Sequence, residues 1–473
     1  MDENKLGKTS LIGLVIGSMI GGGAFNIISD MGGQAGGLAI IIGWIITAIG
    51  MISLAFVFQN LTNERPDLDG GIYSYAQTGF GDFIGFSSAW GYWFAAFLGN
   101  VAYATLLMSA VGNFFPIFKG GNTLPSIIVA SILLWGVHFL ILRGVETAAF
   151  INSIVTVAKL IPIFLVIICM IVVFNFSTFK SGFYGMTSGS VGVFSWGDTM
   201  AQVKSTMLVT VWVFTGIEGA VVFSGRAKSK KDVGTATVIG LISVLVIYFL
   251  MTVLAQGVIQ QNQISKLANP SMAQVLEHIV GHWGSVLVNI GLIISVLGAW
   301  LGWTLLAGEL PFIVSKDGLF AKWFAKENKN KAPVNALIIT NILVQLFLIS
   351  MLFTDSAYQF AFSLASSAIL IPYTLSAFYQ VKYTIQNKSK ANLKQWIIGI
   401  IASIYTIWLV YAAGLDYLLL TMLLYIPGLL VYSYVQRDNN KHLTKLDYTL
   451  FIFIIVLAII GIVRLITGNI SVF

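Results

Sequence analysis

The sequence predicts an all-α polytopic membrane protein, and three observations carry that prediction. Of its 473 residues 57% are hydrophobic and 10% charged, where soluble domains carry about 25% charged residues. Apolar runs recur along the whole chain at lengths that cover about 30 Å of hydrocarbon at about 1.5 Å per residue. The polar segments between them are short, so no soluble catalytic domain is inserted.

Thirteen candidate spans follow in order, at 9–29, 38–60, 82–112, 123–142, 147–174, 203–225, 233–256, 283–313, 334–353, 357–382, 394–413, 415–435 and 446–467. The first follows "MDENKLGK", which mixes acids with bases, and no small-residue cleavage site comes after it. This span is expected to stay in the protein. Of 26 Lys and Arg residues, twenty fall in segments on the N-terminal side of the membrane, five fall on the other side, and Lys159 lies inside a span. The asymmetry fits a plasma-membrane protein with a cytoplasmic N-terminus. It turns the net charge of +7 into a topology signal and leaves no argument for nucleic acid. Cys169, the one cysteine, reads as a small core residue, and no cofactor or metal is expected. His278 and His282 are four residues apart beside Glu277, but they lack a third convergent ligand.

Glycine placement carries the organisation. Gly21, Gly22 and Gly23 interrupt the first span, while Gly216 and Gly219 bracket Glu218 in the sixth. Unpaired backbone groups in lipid cost several kcal/mol, so broken helices survive only where protein or a wet cavity satisfies them. Two breaks five spans apart predict a five-span repeat, at 9–174 and 203–382, with 394–467 as additional helices. Because five is odd, the second copy inserts inverted, and the substrate site is expected where both breaks meet near the midplane.

The runs "GSMIGGGAF" (17–25), "ERPDLDGGIYSYAQTGFGDFIGFSSAWGYW" (64–93), "VFTGIEGA" (213–220) and "GWTLLAGE" (302–309) resemble the amino acid, polyamine and organocation superfamily. More narrowly, they are similar to its basic amino acid and polyamine antiporters. The resemblance implies a LeuT-like fold of two inverted five-helix repeats with discontinuous helices 1 and 6, two or three extra C-terminal helices (12–13 spans) and alternating access. It implies exchange of a cationic amino acid such as arginine for ornithine without sodium. A decarboxylation-linked exchange of histidine for histamine or tyrosine for tyramine stays open, as does a proton-coupled permease or channel. The partners implied are an amino acid, its counter-substrate and the lipid bilayer, with a homodimer also admitted. The run at 448–468 departs from relatives that stop after twelve spans.

An amino acid zwitterion needs partners for its carboxylate, its ammonium and its side chain. Glycines at a helix terminus expose backbone N–H groups, so Gly21, Gly22 and Gly23 are expected to hold the α-carboxylate, with Ser18 on the preceding turn. Carbonyls freed around Trp212 to Thr215 are expected to accept from the α-ammonium. By the resemblance, Trp212 and Trp303 close over the substrate while Tyr92, Asn100 and Thr215 line the pocket. Ring contacts with a cationic side chain are worth about 0.5–2 kcal/mol each.

Glu218 is a carboxyl group near mid-membrane, costly when ionised, and the resemblance gives it a gating and proton-sensing role. A lone ammonium at the depth of Lys159 costs at least about 2.5–3.5 kcal/mol on insertion scales. The resemblance implies that it replaces a coupling sodium ion and ties the fifth helix to the first. An enzyme would need a catalytic cluster at membrane depth, and no serine elbow or HExxH run is present.

Overall fold

The computed structural model describes residues 7–470 apart from 69–70, 144, 188–189, 223–226, 355 and 390. Lys5, Arg226 and Lys390 of the charge asymmetry, and Asp69 and Gly70 of the second family run, lie outside the described residues. The regular elements among the described residues are helices, apart from an antiparallel hairpin pairing Met186–Thr187 with Ser190–Val191.

Among the described residues, ten helices are long and apolar enough to cross a membrane, and a bent pair brings the number to eleven. The pair is α1 (Lys8–Met19) and α2 (Gly23–Gly32), set at 48° to one another. Two further expected spans have structural reasons for missing that count. In α7 (Val145–Val173) the described apolar portion is Ala158–Val173, shorter than a full span. The sixth span is divided: α9 (Trp196–Phe214) begins on polar residues and ends at a break, and α10 (Gly219–Val222) resumes beyond it. The architecture is therefore an all-α polytopic membrane protein of the LeuT-like class, with its first and sixth spans discontinuous.

Both breaks have local causes. At the first, Ile20 leaves the helical region with ψ 83°. At the second, Thr215 turns extended with ψ 127° and Gly216 follows at φ +108°, a conformation that a Cβ would strain.

The long helices pack around α5 (Asp82–Gly112), 89% buried across its apolar window, whereas α19 (Lys445–Ile466) is only 17% buried. The former is the core post and the latter stands at the rim. α5 lies against α14 (His282–Lys316) and α16 (Ala357–Gln386), while α11 (Lys230–Ala255) lies against α1 and α3 (Gly37–Glu64). Two interior indoles find partners on neighbouring helices, as buried N–H groups generally do. Trp44 Nε1 donates to Thr252 Oγ1 at 2.7 Å, and Trp93 Nε1 donates to Thr340 Oγ1 at 2.9 Å.

Candidate functional site

The two breaks meet. Ser18 Oγ lies 2.8 Å from the Gly216 carbonyl oxygen and 2.9 Å from that of Val15, so its one proton is shared between its own helix and the second break. Contact this close needs glycine on the facing side. A Cβ at Gly216 would fall 2.9 Å from Ser18 backbone atoms, and one at Gly219 would fall 3.0 Å from Ser18 Oγ. Trp303 Nε1 closes the same corner, donating to the Ser18 carbonyl at 3.4 Å. Tyr248 of α11 donates to the Met19 carbonyl at 2.9 Å. The carbonyls freed where α1 ends are thus taken up by side chains from other spans, as lipid requires.

Gly216 also reaches Glu218. Its N–H donates to Glu218 Oε2 at 3.2 Å, and the Tyr373 hydroxyl of α16 donates to the same oxygen at 2.5 Å. Glu218 Oε1 has no hydrogen-bond partner among the described residues although Glu218 is fully buried. The Tyr92 hydroxyl faces this carboxyl group without meeting hydrogen-bond geometry. One peptide group therefore touches Ser18 through its oxygen and Glu218 through its nitrogen.

Lys159 is fully buried, and its Nζ donates to the Gly17 carbonyl at 2.6 Å. The fifth span is thereby joined to the first, two residues before the end of α1 at Met19.

The three glycines are packed from the far side. An added Cβ would meet the Tyr103 hydroxyl at 2.5 Å from Gly21, Leu106 at 2.6 Å from Gly22 and Trp212 Nε1 at 2.8 Å from Gly23. Of the N–H groups at this break, that of Gly21 already donates to the Met19 carbonyl at 2.9 Å and that of Phe25 to the Gly22 carbonyl at 3.0 Å, so the carboxylate site expected at Gly21 is not free as it stands. Trp212 is held in turn: Nε1 donates to the Tyr358 hydroxyl at 3.1 Å, and the ring lies 5.6 Å from Tyr103 and 5.9 Å from Phe362. At the second break Thr215 Oγ1 donates to the Val211 carbonyl, and the Gly216 carbonyl accepts from Gly219 N as well as from Ser18. Of the carbonyls expected to meet the ammonium, that of Trp212 accepts from Thr215 N at 3.2 Å and that of Phe214 from Ile217 N at 3.1 Å, so both are already engaged.

Asn100 lies buried on α5 with both amide atoms unpartnered. An amide left so in a dry interior costs about 1–3 kcal/mol, which suits a group that waits for a ligand or water. Glu277 and His282 lie away from the breaks, paired at 3.3 Å.

Sequence reasoning missed Tyr103, Tyr248, Tyr358, Tyr373 and Asp30. Tyr373 had a usable signal, a phenol deep in an apolar run that must find a hydrogen-bond partner when a lone acid is equally in need of one. Asp30 fell one residue past the expected end of the first span, which the structure extends to Gly32.

Broken helices that meet at a buried, partly unpartnered polar cluster define a membrane transporter of the LeuT-like class. A family model described as amino acid permease matches residues 6–417, and the chain belongs to that family. It is 47% identical over 471 residues to an arginine/ornithine antiporter of Pseudomonas aeruginosa, covering 97% of each chain. It is 45% identical to an arginine/ornithine antiporter of Latilactobacillus sakei, covering 98% of each. An arginine/agmatine antiporter of Chlamydia abortus is 42% identical, with 97% of this chain and 96% of the relative covered.

Proposed function

We propose that the chain is a sodium-independent amino-acid antiporter of the plasma membrane, N-terminus cytoplasmic, that exchanges arginine for ornithine by alternating access. The observation that carries this reading is the direct contact between the breaks, Ser18 Oγ to the Gly216 carbonyl, at a place where buried polar groups stand unpartnered. The names of the relatives supply the substrate class. Histidine/histamine and tyrosine/tyramine exchange are not favoured by these names, nor is a channel.

In this reading 9–174 and 203–382 are inverted repeats that rock against each other, and 394–467 flanks them. The N–H groups at Gly21, Gly22 and Gly23 receive the α-carboxylate when Trp212 and Tyr103 move aside. Asn100 and Thr215 meet the polar substrate atoms, and the rings of Trp212 and Trp303 stack on a guanidinium or ammonium chain. Glu218, with Tyr373 and Tyr92, gates the side of the site marked by the second break. Lys159 places its amino group beside α1 where a sodium-coupled transporter would bind its ion. No reacting cluster is invoked, because alternating access moves the substrate without changing it.

Proteoliposomes loaded with ornithine test this reading. Labelled arginine is expected to enter only when ornithine is inside, without sodium and with no membrane potential generated, because equal charge moves both ways. Uptake into empty vesicles at the same rate, or no exchange of this pair, overturns it.

A further inference from the structure

The part of span 1 beyond the glycines carries a carboxyl group that the exchange described above does not use. Asp30 lies on α2 seven residues past Gly23, about 10 Å along the helix at about 1.5 Å per residue, and it is only 6% exposed. One of its oxygens, Oδ1, accepts from Asn26 Nδ2 at 2.8 Å. The other, Oδ2, is buried with no hydrogen-bond partner among the described residues.

This carboxyl group is held in place. Asn26 Oδ1 accepts from Ser271 N at 3.1 Å, Ser271 Oγ donates to the Asn26 carbonyl at 3.2 Å, and Ser29 N donates to Ser271 Oγ at 3.1 Å. Asn26 is thus clamped to α13 (Ser271–Val280), and its free amide hydrogen bond fixes Asp30. Tyr358, which accepts from Trp212 Nε1, lies within electrostatic reach of Asp30. Pro270, next to Ser271, borders a cavity of about 470 Å³ that Asn113, Gln274 and Asn289 also line. Asp30 thus shares Tyr358 with Trp212, and its Asn26 clamp ends on Ser271, the neighbour of the Pro270 that borders the cavity.

We propose that Asp30 is a specificity-determining residue that receives the cationic side-chain group of the substrate, guanidinium or ammonium, on the membrane face opposite the N-terminus. A carboxylate oxygen without a donor in a buried setting is matched by a ligand that brings several N–H donors and a positive charge. Arginine and ornithine carry such a group and citrulline, of similar length and neutral, does not. The substrate would meet Asp30 before or after the Trp212 ring opens, so the residue selects charge at one entrance while the glycines read the common amino-acid part. This inference rests on the proposed exchange of cationic amino acids.

The test uses right-side-out and inside-out membrane vesicles loaded with ornithine, comparing arginine uptake and its inhibition by citrulline. Asp30→Asn keeps the Oδ1 acceptor for Asn26 and removes the charge. It is expected to raise the arginine KM about tenfold or more on the face opposite the N-terminus, leaving the citrulline inhibition constant and the KM on the other face within about twofold. Equal loss for arginine and citrulline, or equal loss on both faces, marks a structural role and overturns the proposal, as does no change. Asp30→Glu moves the charge by one methylene and is expected to shift the preference between arginine and ornithine on that face; an unchanged preference likewise overturns it. Absence of exchange by the unsubstituted protein is a different result, which overturns the proposed function itself.

Discussion

Lys159 Nζ donates to the Gly17 carbonyl at 2.6 Å, so a buried ammonium on the fifth span holds the last intact turn of the first. A cation here faces carbonyls that a helix end leaves without partners. Lys159→Met keeps the length of the side chain and removes the charge. It is expected to lower exchange at least tenfold while the protein still reaches the membrane, measured as ornithine-driven arginine uptake normalised to protein. Replacing sodium by potassium around the unsubstituted protein is expected to change uptake less than twofold.

Ser18 and Gly216 form the contact between the breaks. A buried hydrogen bond is worth about 0.5–1.5 kcal/mol, and about 1.4 kcal/mol is tenfold in an equilibrium. Ser18→Ala is therefore expected to shift the balance between inward- and outward-facing forms by about twofold to tenfold. Transport kinetics from the two faces check it: the KM ratio between faces changes, while the unfolding temperature moves only slightly.

Glu218 and Tyr373 share a hydrogen bond deep in the membrane. Glu218→Gln is expected to leave a folded protein whose exchange varies less between pH 5 and 8 than that of the unsubstituted chain. Tyr373→Phe should reproduce part of this effect. Residues in one hydrogen-bonded unit do not add, so the double variant should be no worse than the poorer single one. Unchanged pH profiles in all three would remove the gating role.

Gly23 and Gly13 make a paired steric test. A Cβ at Gly23 would lie 2.8 Å from Trp212 Nε1, whereas one at Gly13 meets nothing within 4 Å. Gly23→Ala is expected to displace the indole and abolish most exchange. Gly13→Ala, inside α1, should be neutral or stabilise slightly through helix propensity, by up to about 1 kcal/mol. Exchange rates and thermal unfolding in detergent separate the two.

Much of the fold was legible because lipid makes backbone satisfaction local. An apolar run of spanning length has to be helix, so the expected bounds of 82–112 coincide with α5. Single glycines pass through α3 and α5 without a break, whereas three in a row at Gly21 to Gly23, and the pair bracketing Glu218, remove enough helix propensity to mark one. Lys159 and Glu218 stood out for the same reason, as charges where charge is expensive.

The sequence by itself determined the spans, both breaks and the two intramembrane charges, since each follows from what a single segment can do in hydrocarbon. Only the tertiary structure decided partners. It set Lys159 on Gly17, Ser18 on Gly216, Tyr373 on Glu218 and Trp212 on Tyr358, pairs separated by 142, 198, 155 and 146 residues. Such contacts depend on how helices from distant parts of the chain cross, and no local periodicity encodes that. The same holds for Asp30, an unremarkable acid in sequence that the packing of α2 against α13 turns into a buried carboxyl group with one oxygen free.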